Sequence, residues 1–211
     1  MYTIVTPEKI QLDPGSVVRL PGSWQDYQAL VQQLGDRPNP RIKFRKGEIL
    51  LMNPLPEHGR QVHILANVVT VLLDHLEQEY DAFTPITMEL PEISGIEPDY
   101  CFYIDNWEAA SGKNRIDWEI DPPPDLVIEV DVTSYTAVED YLPYRVPEVW
   151  LFKKKRLMMY GLVDGTYSVQ ETSQFFPEMN LPAIVEDCLQ MAQQRNTSAA
   201  MRALRQQLAT L

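Results

Sequence analysis

The sequence predicts a mixed α/β domain that ends in a helical tail. One long stretch has the apolar periodicity of a helix, several short runs bounded by Pro and Gly resemble strands, and the C-terminal segment has a helical composition. The chain has 211 residues, of which 17 are proline. This proline content is about 8%, against a usual ~5%, and indicates many turns and rigid connections. The length fits one or two domains with a buried core.

The N-terminal part predicts a short helix and then a β-hairpin. The helix covers residues 24–34, with Ser23 in the N-cap position and Gly35 at its end. A strand at residues 42–45 and a strand at residues 48–52 follow, with a Lys-Gly turn at 46–47 between them.

The longest helix is expected from about Gly59 to Tyr80. Its apolar residues recur at spacings of three and four, which is the pattern of one helix face: Val62, Leu65, Val69, Leu72 and Leu76. Strands are expected after it, at residues 83–90, 99–104, 125–131, 148–152, 157–162 and 166–171, with an Asp-Gly hairpin turn at 164–165. The tail predicts two helices, at residues 184–194 and 198–208, with a break and an N-cap at 196–198.

These elements predict three segments that form a single domain overall. Residues 1–40 are a strand and helix segment that packs on the core, residues 41–182 are the core domain, and residues 183–211 are the helical tail. Apolar tail helices in a domain of this size favour a two-fold homodimer. The side chains that could build its interface, or instead cover a sheet edge, are Phe175, Phe176, Leu189, Leu204 and Leu208.

The charge of the chain restricts how it could bind nucleic acid. The 18 Lys and Arg residues against 30 Asp and Glu residues give a formal net charge of −12. Because affinity for polyanions comes largely from Lys and Arg displacing counterions, binding through the whole surface is disfavoured. Local contact stays open at two basic patches, which are also typical of solvated strand ends: Arg41, Lys43, Arg45 and Lys46, and residues 153–156.

Cysteine usage and the N-terminus predict a cytoplasmic protein. Cys101 and Cys188 lie far apart and neither belongs to a CxxC motif, so a zinc ribbon, a redox pair and a disulfide framework are disfavoured. The N-terminus lacks a basic region followed by a long apolar stretch, and no apolar run in the chain is long enough to span a bilayer. We therefore expect a reducing compartment and no membrane partner.

Carboxylates on predicted strands indicate a metal site. Glu129 and Asp131 are two residues apart on an otherwise apolar strand, so both lie on one face, where they are costly without a compensating partner. Asp99 begins another apolar strand. If these strands are neighbours, the three carboxylates can converge on a hard divalent ion, which prefers oxygen ligands. The alternative is that they are strand-end charges that face solvent or pair with Arg45 or Arg145.

Five motifs in a fixed order carry a resemblance to a known family. They are RKGEIL at 45–50, PLPEHG at 54–59 before the long helix, PD at 98–99, PDLVIEVDVTS at 124–134 and VPEVW at 146–150. In this order and spacing the chain resembles the bacterial Uma-two family of predicted endonucleases, from about Arg41 to Pro182. That family, formerly a domain of unknown function, is part of the PD-(D/E)XK, restriction-endonuclease-like superfamily.

The resemblance implies a central mixed β-sheet flanked by helices, and a site at the strand ends that hydrolyses phosphodiester bonds in DNA with Mg²⁺ or Mn²⁺. Asp99 matches the Pro-Asp acid, Glu129 matches the second acid, and Glu48 resembles the acidic residue of the upstream hairpin. Asp131 would extend or replace the third metal ligand. His58 occupies a family position near the site, although a capping or solvated role is the alternative.

The chain departs from the superfamily at one position. The superfamily has a lysine two residues after the second acid, which activates water or stabilises transition-state charge, and this chain has Asp131 there. The replacement could be a cation from Arg145, Lys113 or residues 153–155, or a second metal ion held by three carboxylates. The third alternative is a degenerate site, in a nuclease-fold protein that acts as a dimeric module for binding nucleic acid or another protein.

Overall fold

The computed structural model describes residues 12–35, 40–84, 86–131 and 136–210. Contacts between Cα atoms divide the chain into two compact units: residues 1–56 with 87–97, and residues 57–86 with 98–211. We call these the first and the second unit. Their boundaries differ from those of the three predicted segments, because residues 87–97 pair with strands that lie earlier in the chain.

The first unit contains a helix and an antiparallel sheet with strand order β1-β3-β2-β6-β5. Its elements are β1 (Val17–Pro21), α1 (Trp24–Leu34), β2 (Arg41–Arg45), β3 (Glu48–Met52), β5 (Met88–Leu90) and β6 (Ser94–Ile96). The predicted bounds of α1 are confirmed: Ser23 and Asp26 form a capping box, and Gly35 follows the helix with a φ of 57°. Apolar side chains of α1, β2 and β3 form the core of this unit: Tyr27, Leu34, Ile42, Phe44, Ile49 and Leu51.

The second unit contains a six-stranded mixed sheet with the order β11-β10-β9-β8-β7-β4. Strands β8 and β9 are parallel, and the other neighbours are antiparallel. The strands are β4 (Asp81–Phe83), β7 (Tyr100–Tyr103), β8 (Leu126–Asp131), β9 (Glu148–Lys153), β10 (Arg156–Val163) and β11 (Thr166–Gln170). The helices are α2 (Pro56–His75), α3 (Trp107–Ala110), α4 (Leu181–Gln194), α5 (Thr197–Leu208) and a 3₁₀ helix at Val138–Tyr144.

The core of the second unit confirms the predicted parity of strand β8. Ile128 and Val130 belong to an apolar cluster with Trp150 and Phe152 of β9, together with buried residues of α2, α4 and α5. Glu129 and Asp131 alternate with Ile128 and Val130, so they face the opposite side of the sheet.

Two predicted elements were wrong in their extent. The long helix runs from Pro56 to His75 rather than from 59 to 80, because Pro is compatible with the first turn of a helix and Glu77 adopts a left-handed φ of 53° just after the last turn. The predicted strand at 83–90 is two strands in different sheets, since β4 pairs with β7 and β5 pairs with β6. Strands β1 and β6, helix α3 and the 3₁₀ helix were not individually predicted.

The apolar tail residues are largely internal. Phe176, Leu204 and Leu208 are buried in the core of the second unit, and Leu189 packs against it. These side chains therefore pack in the core of their own chain, and the homodimer stays a prediction. Among the described residues, no helix has the length and apolar character needed to cross a membrane.

Candidate active site

Asp99 and Glu129 come together because β7 and β8 are neighbours. The antiparallel register pairs Tyr100 with Ile128, so the preceding Asp99 comes level with the following Glu129. Asp99 is 3% exposed and Glu129 is 2% exposed. The backbone N–H of Val130 donates to Asp99 Oδ2 at 2.9 Å, which fixes the Asp99 carboxylate against strand β8.

His58 contacts this carboxylate from the first turn of α2. Its Nε2 lies 3.0 Å from Asp99 Oδ2, and its side chain is 12% exposed. His58 therefore does approach the candidate site, which the sequence had left as one of two alternatives. It is neither a helix cap nor a freely solvated side chain. Together with the Val130 N–H, it holds one Asp99 oxygen in a defined orientation.

Glu129 is held by two side chains that follow it in the chain. The Tyr141 hydroxyl of the 3₁₀ helix donates to Glu129 Oε1, and Thr136 Oγ1 lies 3.5 Å from Glu129 Oε2. Burial raises the pKa of Tyr141 well above its usual value, and the negative charges of Glu129 and Asp99 raise it further. The phenol therefore stays protonated and remains a donor to Glu129 at neutral pH.

Asp131 has a cation beside it. The parallel register pairs Asp131 with Lys153, and Lys153 Nζ lies 3.0 Å from Asp131 Oδ2. The backbone N–H of Thr136 also donates to Asp131, at 3.3 Å. The position that lacks the expected lysine thus carries a carboxylate, and a lysine from the neighbouring strand pairs with it.

The two other cations considered from the sequence are placed differently. Lys113 Nζ lies 2.6 Å from Asp121 Oδ1, in an exposed ion pair. Arg145 follows the 3₁₀ helix in a left-handed conformation, with a φ of 59°, and its side chain is exposed. Of these candidates, Lys153 is the one for which a contact with a predicted site residue is seen.

The arrangement of Asp99, Glu129 and Asp131 determines how many of these carboxylates could bind one metal ion. Within residues 12–35, 40–84, 86–131 and 136–210, no three His, Cys, Asp or Glu side chains stand in an arrangement that could hold a metal ion. The predicted ligand set of Asp99, Glu129 and Asp131 is therefore not seen as a preformed cluster. The pair Asp99 and Glu129 still fits Mg²⁺, which is commonly bound by one or two carboxylates, substrate phosphates and retained waters.

Comparison with known proteins identifies the family. The model of the Uma2 family, described as "Putative restriction endonuclease", matches residues 24–194. The chain belongs to the Uma2 family. Among curated proteins, none matches this chain.

A solved structure supports the fold of this Uma2 protein. It is the crystal structure of "a putative nuclease belonging to DUF820" from Anabaena variabilis, with 15% sequence identity and a TM-score of 0.51. The match covers 89% of this chain and 99% of the other. At this identity the comparison confirms the predicted nuclease-like α/β fold.

Glu48, the fourth predicted site residue, lies in the first unit. It is the first residue of β3, it is exposed, and the strand register pairs it with Arg45 and Pro21. The other three predicted residues lie in the second unit. A catalytic role of Glu48 in this Uma2 protein stays a prediction.

Two buried carboxylates in the second unit have structural roles instead. Asp125 accepts hydrogen bonds from the backbone N–H groups of Ile104 and Asn106, at 2.7 and 3.0 Å, and so ties down the chain after β7. Glu148 accepts from Trp150 Nε1 at 2.5 Å and from the Gln174 N–H at 2.9 Å, and burial raises its pKa. Burial alone therefore does not mark a catalytic carboxylate in this Uma2 chain.

Sequence reasoning missed Tyr141 and Thr136. The contact of Tyr141 with Glu129 spans 12 residues and depends on an unpredicted 3₁₀ helix that contains Pro143. No local pattern signals such a contact. The contact of Lys153, in contrast, can be deduced from the sequence. Two parallel strands that start at Leu126 and Glu148 place Lys153 level with Asp131.

Proposed function

We propose that this Uma2 protein is a metal-dependent endonuclease that hydrolyses phosphodiester bonds in DNA. The observation that carries the proposal is the pairing of two buried carboxylates, Asp99 and Glu129, at adjacent strand ends. The family description supports a nuclease. DNA rather than RNA is the substrate that a restriction endonuclease description implies.

Asp99 and Glu129 are the residues that would hold Mg²⁺ or Mn²⁺. A bound divalent ion lowers the pKa of a coordinated water and neutralises charge on the phosphate oxygens. His58 and the Val130 N–H orient Asp99, while Tyr141 and Thr136 orient Glu129. Because both carboxylates are fixed in advance, little reorganisation is needed when the substrate arrives.

Lys153 is our candidate for the missing lysine. Lys153 is on β9, next to the strand that carries Glu129, and its ammonium group lies beside Asp131. A cation at this place can stabilise the negative charge that develops on the phosphate during hydrolysis. In this assignment Asp131 positions Lys153 and is not needed as a third metal ligand.

A second candidate function is favoured by one observation. Asp131 stands where the superfamily has its lysine, which is the substitution expected of a site that has lost catalysis. The protein would then bind nucleic acid or a protein partner without hydrolysing it.

We keep the cytoplasm as its proposed location, since both cysteines are free and buried.

The test is cleavage of supercoiled plasmid DNA in Mg²⁺ or Mn²⁺ by the wild type and by Asp99→Asn and Glu129→Gln proteins purified identically. We expect nicking by the wild type, none by either variant, and none in EDTA. Glu148→Gln is the matched control, because it neutralises a buried carboxylate of structural role, and it should still cut if circular dichroism shows that it is folded. Equal cleavage by the wild type and Asp99→Asn would contradict the proposal, and binding without cleavage by the wild type would favour the second candidate.

A further inference from the structure

The turn between β9 and β10 is a run of cations in an acidic unit. Residues 153–156 are Lys, Lys, Lys and Arg, whereas the second unit as a whole has 11 Lys and Arg residues against 22 Asp and Glu residues. Lys154, Lys155 and Arg156 are exposed. Like charges held this close together repel one another, so a polyanionic ligand would relieve their repulsion.

The backbone of this turn is unfavourable for lysine. Lys153 pairs with Arg156, so Lys154 and Lys155 are the two central residues, and both have left-handed φ angles of 50° and 61°. Such a two-residue turn favours Asn-Gly or Asp-Gly. The next hairpin turn has this ordinary chemistry, with Asp164 and Gly165 at φ angles of 51° and 78°. The chain thus keeps two lysines where local backbone preference opposes them, as occurs at functional sites.

The turn lies next to the candidate active site. It begins at Lys153, which contacts Asp131. Lys155 lines a cavity of about 610 Å³ together with Arg60 of α2, and its lining does not include Asp99, Glu129 or Asp131. The cavity lining also includes Glu57 and Glu186. Cations from two elements therefore meet at a cavity beside the turn, although the cavity itself has mixed charge.

We propose that Lys154, Lys155 and Arg60 bind the phosphate backbone of the DNA strand that is hydrolysed at Asp99 and Glu129. The inference rests on the proposed nuclease function, for which it names a substrate-positioning surface. Lysine acts on phosphate as a flexible point charge, and such contacts fix the position of the duplex without reading its sequence. This surface would let a protein of net charge −12 bind DNA locally.

The test measures DNA binding without cleavage. Asp99→Asn protein in EDTA is titrated into a fluorescein-labelled duplex at several salt concentrations, alone and with the added substitutions Lys154→Asn and Lys155→Gly. We expect the protein with the turn substitutions to have a higher melting temperature than Asp99→Asn alone, because Asn-Gly suits the turn. We also expect it to bind DNA more weakly. The slope of log affinity against log salt should fall in magnitude by about 1.8 for two lost contacts, and by about 0.9 for Arg60→Gln.

The matched control is Arg115→Gln with Arg202→Gln in the same background, since it removes two exposed cations that belong neither to the turn nor to the lining of its cavity. Its DNA binding should equal that of Asp99→Asn alone. The proposal is overturned if Asp99→Asn protein does not bind DNA, if the turn variant binds as well as its parent, or if both double variants weaken binding equally. Failure of the nuclease function is separate, because it appears as absent plasmid cleavage by the wild type whatever the binding result.

Discussion

At the scale of single residues, Asp131 and Lys153 form an ion pair across two parallel strands of the sheet. Lys153 Nζ and Asp131 Oδ2 are 3.0 Å apart, and the Lys153 side chain is 26% exposed. The lysine is therefore held at its place yet remains open to a substrate. A cation from a neighbouring strand can serve the same electrostatic purpose as one on the strand of Glu129, because the effect depends on distance and not on sequence position.

Lys153→Gln should reduce the single-turnover rate of DNA cleavage by about 10²–10³-fold, the usual loss when one group that stabilises transition-state charge is removed. Lys153→Arg should restore part of the rate, since it keeps the charge but changes its geometry. Lys113→Gln serves as the comparison, because Lys113 pairs with Asp121. A large loss with Lys113→Gln and none with Lys153→Gln would show that the cation comes from elsewhere.

Tyr141→Phe should lower the free energy of unfolding by about 1–3 kcal/mol, because Glu129 loses a hydrogen-bond donor inside the protein. Urea denaturation measures this change. Since the pKa of Tyr141 is raised by burial and by Glu129, its phenol should not ionise in the folded protein as the pH rises through 10. The wild type and Tyr141→Phe should therefore show equal tyrosinate absorbance until alkaline unfolding, and an additional native titration in the wild type would count against this contact.

At the scale of secondary-structure elements, local signals were reliable where the chain has explicit start and stop residues. Ser23 and Gly35 gave the bounds of α1. The predicted turns at Lys46-Gly47 and Asp164-Gly165 are present, and all four residues have left-handed φ angles. The end of α2 was missed, because the apolar spacing continues to Leu76 although the helix ends at His75. Short strands such as Ser94–Ile96 carry too few residues for a periodic pattern.

Gly95→Ala should destabilise the first unit by about 1–3 kcal/mol through overpacking. A Cβ atom at Gly95 would lie 2.5 Å from the Tyr27 ring and hydroxyl, and Tyr27 is fully buried between α1 and the sheet. Gly59→Ala is the control, since nothing lies within 4 Å of its Cβ position and Ala is favoured in helix α2. Thermal denaturation should show a lower melting temperature for Gly95→Ala alone, and an unchanged value would refute the close packing.

The two cysteines should be unreactive in the folded protein. Burial raises the pKa of Cys101 on β7 to about 12 and that of Cys188 on α4 to about 11. At pH 8 a thiol of pKa 12 is only about one part in ten thousand thiolate, which is the reactive form. Ellman's reagent should therefore modify both thiols only after denaturation, and fast modification of the native protein would show that these elements open.

At the scale of the whole molecule, the sequence predicts the fold class, the family and the pairing of Asp99 with Glu129. It does not predict the division into two units, because residues 87–97 join β2 through pairings such as Phe44 with Gly95, which no local pattern encodes. The ligand set of Asp99, Glu129 and Asp131 stays a prediction. Glu129 and Asp131 do share a face, as parity predicts, but parity does not show that Asp131 also pairs with Lys153.

A calorimetric titration of Mn²⁺ into the DNA-free protein tests the proposed metal site at Asp99 and Glu129 most directly. We expect binding by the wild type, loss of the binding heat in Asp99→Asn and Glu129→Gln, and retained binding in Asp131→Asn. Absence of binding in the wild type would contradict the metal site itself. Loss of binding in Asp131→Asn as complete as in Asp99→Asn would contradict the two-carboxylate site and restore Asp131 as a ligand.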